Sequence, residues 1–207
     1  MKRIVQSIDN KVRSRIYGNK RGWVFTPRHF QDIGSDDAVD SALRRLKADG
    51  VIRQLARGLY DYPQHDPVLG MVTPSADAIA RALVVRDATR LQHSGAYALN
   101  ALGLSAQVPS RVVFLTDGPG RNVKVGKRSI MLKHTTPRNM ATAGRISGTL
   151  IQALRHLGKG RVDNRVVAAI RRHITDADRP VIRRDLLYAP AWIAEILRDL
   201  VELPARK

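Results

Sequence analysis

Apolar residues open the chain at every fourth position, Ile4, Ile8, Val12 and Ile16, with Val5 beside the first. That stripe predicts an amphipathic helix, ended by Gly18 and Gly22. Trp23, Val24 and Phe25 then form a short extended apolar piece. Thr26-Pro27 predicts a helix start, with a capping threonine and a proline in the first helical position. This helix should run through Phe30 to about Ile33, where Gly34 makes a turn and Ser35 caps the next helix. The next pattern is the clearest in the chain: over 36–49, Ala38, Val39, Ala42, Leu43 and Leu46 share one face. Asp36 and Asp37 near its start and Arg44, Arg45 and Lys47 near its end suit the helix dipole. Asp49-Gly50 stops it. Val51 to Leu55 and Leu59 to Tyr62 then read as two strands around an Arg57-Gly58 turn, closed by Pro63. Helix, turn, helix and basic hairpin in this order predict a winged helix-turn-helix over about residues 26–63, within a first domain of residues 1–67.

Pro63, Pro67 and Pro74 punctuate what reads as a linker. Beyond it, residues 76–85 and 96–102 carry helical patterns separated by a break at 91–95. Val112 to Thr116 is a β-branched run that predicts a buried strand. Asp117-Gly118-Pro119-Gly120 marks a turn, and 123–125 and 129–133 read as further strands. Helices are expected at about 146–157, 162–175 and 190–200. Helices, then strands, then helices predict an α+β second domain over 68–207.

Charge changes this picture. The chain has 207 residues and a formal net charge of +18, from 36 Lys/Arg against 18 Asp/Glu. That excess favours a polyanionic partner, nucleic acid first. Residues 1–67 hold 13 basic and 8 acidic side chains, whereas residues 111–172 hold 14 and 2. Most of the excess therefore lies outside the expected DNA-reading motif. There is no cysteine, which excludes disulfides, zinc fingers and thiol catalysis. No apolar run approaches the roughly 20 residues that span a bilayer, and polar residues interrupt the N-terminal stretch. The expectation is a cytoplasmic protein with no membrane partner.

In a winged helix-turn-helix the second helix enters the major groove and the hairpin reaches phosphates or the minor groove. The candidate DNA contacts are Thr26, Arg28, Ser35, Asp37, Ser41, Arg44, Arg45 and Lys47, with Arg53 and Arg57 on the hairpin. Arginine can grip guanine through two hydrogen bonds, and a carboxylate can accept from cytosine. Asp36, Asp37 and Asp40 would repel phosphates, which counts against tight binding. An auxiliary basic face is expected from Arg111, Arg121, Lys124, Lys127, Arg128, Lys133 and Arg138, with Arg171-Arg172 as a further contact. That face could extend a DNA footprint, dock an acidic protein or stay solvated. No catalytic constellation emerges. The six histidines (His29, His65, His93, His134, His156 and His173) lack metal-ligand spacing, and the His93-Ser94 pair reads as structural. The 117–121 turn lacks the glycine spacing and Lys-Ser/Thr of a phosphate loop. No metal, no cofactor and no enzymatic activity are expected. Trp23 and Trp192 read as core or interface residues.

Four stretches carry a family resemblance: ALRRLKADGVIRQLARGLYDYP (42–63), HSGAYALNALGLSAQVPSRVVFLTDGPGR (93–121), VGKRSIMLKHTTPR (125–138) and LIQALRHLG (150–158). They resemble the AbiEi-type antitoxins of bacterial type IV toxin–antitoxin systems, which act in phage defence. The resemblance runs from about residue 5 to 198, and 93–121 is its most specific part. It implies an N-terminal winged helix that represses its own operon by binding inverted-repeat operator DNA. It also implies a C-terminal antitoxin domain that neutralises a nucleotidyltransferase-like toxin, with or without direct contact. A monomer in solution that pairs on DNA fits this reading. Two alternatives stay open: a winged-helix regulator with no toxin partner, and a DNA-processing enzyme.

Overall fold

The computed structural model describes residues 7–84, 89–107 and 109–202. Ile4 and Val5 of the opening stripe lie outside them. The architecture is mixed α+β and divides into two compact units, residues 1–88 with 123–126 and residues 89–122 with 127–207.

The first unit begins with α1 (Ile8–Gly18), capped by Ser7, whose hydroxyl accepts from the Asn10 amide. A two-residue strand β1 (Val24–Phe25) follows. The Thr26-Pro27 start then yields one 3-10 turn, Pro27–Phe30, and not a helix to Ile33. Arg15 of α1 holds the end of this turn and the residues after it, donating to the His29 carbonyl (2.7 Å) and gripping both carboxylate oxygens of Asp32 (2.6 and 2.7 Å). α2 (Asp36–Ala48) starts at Ser35, whose side chain caps the Ala38 amide. β2 (Arg53–Ala56) and β3 (Leu59–Asp61) form a hairpin, and β1 joins its β3 edge to give the antiparallel order β1-β3-β2. Gly58 takes φ +68° in the hairpin turn, a backbone conformation in which a side chain would be strained.

One core holds these elements together. Val12 and Ile16 of α1, Val39, Ala42, Leu43 and Leu46 of α2, and Phe25, Phe30 and Ile52 are buried together. The apolar spacings of both helices thus meet across one seam. The rings of Phe25 and Phe30 pack edge to face at 5.5 Å, the geometry their quadrupoles favour.

The unit does not stop at Pro67. The stretch expected to be a linker forms a second hairpin, β4 (His65–Asp66) with β5 (Gly70–Met71). α3 (Ala76–Leu83) follows and packs on β1. Arg53 reaches across to the Val72 carbonyl (3.0 Å), and the Val72 amide donates to the Gln64 carbonyl (2.9 Å). These bonds bind residues 65–83 to the first unit, so the boundary falls after α3.

The second unit is built on β6 (Leu91–His93), β7 (Arg111–Thr116) and β9 (Arg128–His134), and β8 (Arg121–Val125), of which residues 123–125 count with the first unit, completes the sheet order β6-β7-β9-β8. β6 pairs antiparallel with β7, and β7 runs parallel to β9, with Val112 opposite Ile130 and Phe114 opposite Leu132. The break expected at 91–95 is therefore strand β6 followed by α4 (Gly95–Ala101). After β9 come α5 (Pro137–Met140), α6 (Ile146–Leu157), α7 (Asn164–Arg171), α8 (Asp178–Asp185) and α9 (Ala191–Glu202). The helix expected over 162–175 is shorter, because α7 ends at Arg171. Leu150, Ile151 and Leu154 of α6 pack with Ile182 of α8 and Ile193 and Leu197 of α9 in one core.

Two polar arrangements fix the start of α6. Arg145 pairs with the fully buried Asp185 (2.8 Å), which also accepts from the Ser147 hydroxyl. Gly148 lies against the Gln92 side chain and the Thr142 carbonyl so closely that a Cβ would collide with both. In the orientation that satisfies its neighbours, the Gln92 amide donates to Thr142 (3.2 Å) and accepts from the Thr149 amide (3.0 Å).

Candidate nucleic-acid interface

A groove lies between α2 and the β2–β3 hairpin of the first unit. Its volume is about 390 Å³, and Asp40, Arg44 and Lys47 line one wall. Gln54, Arg57 and Tyr60 line the other, with Pro27 at one end. Three features of the sequence place these side chains. The apolar face of α2 turns Val39, Leu43 and Leu46 inward, so Asp37, Asp40, Arg44 and Lys47 fall on the outer face. The Lys47 ammonium donates to the Gln54 side chain at 2.6 Å and ties helix to hairpin. Gly58 lets the hairpin turn tightly and present Arg57. Burial raises the Tyr60 phenol above its usual range, the Asp40 carboxylate adds to this and Arg44 opposes it. The three groups therefore share one electrostatic environment.

The opposite flank of α2 is occupied by α1. Arg45 grips Asp9 through two bonds (2.6 and 2.9 Å), and Arg13 lies 3.7 Å from Asp49. The Asp9 carboxyl is held below its usual range chiefly by the Arg45 hydrogen bond. In the preceding turn, Asp32 is lowered to about 2, first of all by its hydrogen bond to Arg15.

The sequence-derived contacts therefore separate. Arg28, Asp37, Arg44 and Arg57 are exposed and Ser41 is half-buried beside them. Four others are turned to the scaffold. Thr26 is buried, and its amide donates to the His29 ring nitrogen (3.0 Å) in a reciprocal cap. Ser35 caps α2, and Arg45 is held by Asp9. Arg53 is the clearest correction. It does not extend from the hairpin but makes two bonds to Asp61 (3.1 and 2.6 Å), a carboxylate with 1% exposure. Its hydrogen-bond partners lie eight and nineteen residues away, at Asp61 and Val72, where no local sequence pattern points.

The auxiliary basic residues are scattered. Arg111 lies on β7, Arg121 and Lys124 on β8, and Lys127 in the turn before β9. Strand alternation sends Arg128 and Lys133 of β9 to opposite faces of the sheet. Arg138, on α5, adds its like charge to the burial that lowers the neighbouring Arg155 guanidinium, itself hydrogen-bonded to Asn139 (3.0 Å). Arg171 and Arg172 end α7. Among the described residues, no three His, Asp or Glu side chains are grouped to hold a metal. Ser94 stands at the N-cap position of α4 without a side-chain capping bond, and His93 packs edge-on against Tyr97 at 5.2 Å. No helix among the described residues is long and apolar enough to cross a membrane.

The DUF6088 family, a family of unknown function, matches residues 11–180. The chain belongs to this family. The match takes in the groove, the first unit from α1 onward, and the second unit through the start of α8. A crystal structure of the RV2827C protein from Mycobacterium tuberculosis is similar at 16% identity and a TM-score of 0.47. That similarity covers 99% of this chain and 80% of the other. No curated protein sequence matches the chain.

Proposed function

We propose that the first unit is a winged helix that binds double-stranded DNA, and that the protein is a DNA-binding transcriptional repressor. The observation that supports this is the groove, in which the exposed face of α2 and the arginine-tipped β2–β3 hairpin converge. The element order α1, β1, 3-10 turn, α2, β2, β3 supports this reading, in which the helix before the reading helix is shortened to one turn. In this reading α2 lies in the major groove. Arg44 and Ser41 meet base edges, Asp37 and Asp40 accept from cytosine amino groups, and Arg57 and Arg28 hold phosphates. Arg45 and Arg53 hold the module's shape and leave the DNA alone. The acidic front of α2 makes affinity depend on sequence, because a carboxylate beside guanine or thymine, which offer no amino donor in the major groove, is left unpaired in a field of phosphates.

The resemblance to AbiEi-type antitoxins extends the proposal. The repressor would control its own operon, bind inverted repeats as paired copies, and neutralise a nucleotidyltransferase-like toxin encoded beside it. The test is fluorescence anisotropy of the full chain on its own promoter fragment against a scrambled duplex at physiological salt. Tighter binding to the promoter, lost in Arg44→Ala, supports the reading, and equal affinity for both duplexes sinks it. Co-expression with the neighbouring gene tests the antitoxin role separately: unrelieved growth arrest would remove that role and leave the DNA-binding reading standing.

A further inference from the structure

Arg–carboxylate pairs or backbone hydrogen bonds engage most acidic side chains of this chain. Asp9, Asp32, Asp49, Asp61, Asp117, Asp176 and Asp185 pair with arginines. Asp66, Asp163 and Asp178 accept from backbone amides. Among the described residues, the carboxylates without such a partner lie at the front of α2 and on the outer face of α9. Glu195, Asp199 and Glu202 are exposed there at i, i+4 and i+7 with the exposed Arg198 on the same face, so three carboxylates outnumber one guanidinium, and none of the three is ion-paired among the described residues.

The complementary surface lies on the next helix. A groove of about 580 Å³ follows α7, where Asn164, Val167, Ala168 and Arg171 form one stripe, and it continues past the helix end to Arg172 and Ile174. Its floor is apolar and its far end cationic. Arg171 and Arg172 have no acidic partner among the described residues. Arg179 forms the remaining wall and is fixed by Asp176 (3.0 Å) and by the Val201 carbonyl of α9 (2.9 Å). α7 also packs on α9. Groove and acidic stripe thus belong to neighbouring helices of one unit, and the helical part of each covers seven helical steps, about 10.5 Å.

A patch that carries both halves of a complementary pair can meet its own copy across a two-fold axis, making the same contact twice. We propose that two copies of this chain associate in this way, the α9 stripe of each seating in the α7 groove of the other. Glu195, Asp199 and Glu202 would face Arg171 and Arg172, and the aliphatic stems of these arginines together with Val167 and Ile174 would cover the apolar part of the contact. The contact does not depend on what the first unit binds.

Sedimentation equilibrium of the full chain, without DNA and from micromolar to sub-millimolar concentration, tests this by charge exchange. The wild type should rise in mass towards a dimer. Arg171→Glu/Arg172→Glu and Glu195→Arg/Asp199→Arg should each weaken association about tenfold or more, since two pairs are lost at each of two contacts. An equimolar mixture of the two variants should recover dimer, because both contacts of the mixed species join opposite charges. A wild type that stays monomeric throughout overturns the proposal and leaves the groove to an acidic partner protein. A mixture no tighter than its components also overturns it. Circular dichroism of both variants checks folding, and recovery in the mixture is itself incompatible with a misfolded component.

Discussion

Arg53→Met should destabilise the first unit without touching the surface proposed to face DNA. Asp61 has 1% of its side chain exposed and Arg53 31%, with oxygen and nitrogen 2.6 Å apart. Removing the guanidinium strands a buried carboxylate and also frees the Val72 carbonyl. Breaking a buried pair costs about 3–5 kcal/mol, and the partial exposure of Arg53 lets water reach one side, so about 3 kcal/mol is expected. With a urea slope of about 1.5 kcal/mol/M for a unit of this size, the midpoint should fall by about 2 M. The two tryptophans fall one in each unit, so a Trp192→Phe background leaves Trp23 as reporter of the first unit alone. Asp61→Asn should lose a similar amount. The double variant Arg53→Met/Asp61→Leu should return to within about 1 kcal/mol of the parent, because an apolar pair needs no charge partner. A change below about 1 kcal/mol in Arg53→Met, combined with lost DNA binding by the folded protein, would refute the scaffold assignment and restore Arg53 to the interface.

Arg44→Ala should weaken promoter binding by about 1–3 kcal/mol and relax sequence preference, whereas Arg57→Ala should weaken promoter and scrambled duplexes alike and lower the salt slope by about 1, both read by anisotropy at several salt concentrations. Gly148→Ala should destabilise the second unit by about 2–3 kcal/mol through the collision with Gln92 and Thr142, visible as an earlier transition of Trp192 fluorescence in urea. His29 is lowered from the ordinary 6.5, first by burial, with the Thr26 backbone bond opposing and Arg15 adding to the fall. The neutral ring caps Thr26, so the first unit should be fully stable above about pH 6.5 and lose stability as pH falls from there through the lowered value. His29→Gln should flatten that dependence in urea midpoints measured between about pH 5 and pH 8.

Periodicity made α2 and the hairpin legible, because Val39, Leu43 and Leu46 repeat at helical spacing and Arg57-Gly58 separates two extended runs. It also located β7, α6 and α9. What it missed has physical reasons. The β4–β5 hairpin hides between Pro63, Pro67 and Pro74, and its two-residue strands are too short to show alternation. α8 offers Val181 and Ile182 as its main apolar residues beside Pro180, so its helicity depends on packing against α6 and α9. β6 is three residues long and is recognisable only through its pairing with β7. Among the candidate contacts, the exposure of Arg44 and Arg57 could be read from the helix face and the turn. The fates of Arg45 and Arg53 could not, since Asp9 lies 36 residues from one and Val72 lies 19 from the other.

The β4–β5 hairpin has one more property. Asp66 accepts from the amides of both Val68 and Leu69 at 2.8 Å, and these bonds hold its carboxyl below the usual range. The turn is thereby braced from within while Val68 and Leu69 stand 89% and 80% in water. At low ionic strength the +18 charge keeps molecules apart and these aliphatic tips stay separated. Added salt removes that repulsion and, with sulfate or phosphate, strengthens apolar attraction. The solubility of this protein should therefore fall on salting out earlier than its charge suggests, and Val68→Ser/Leu69→Ser should move the precipitation point to higher ammonium sulfate while leaving the braced turn intact.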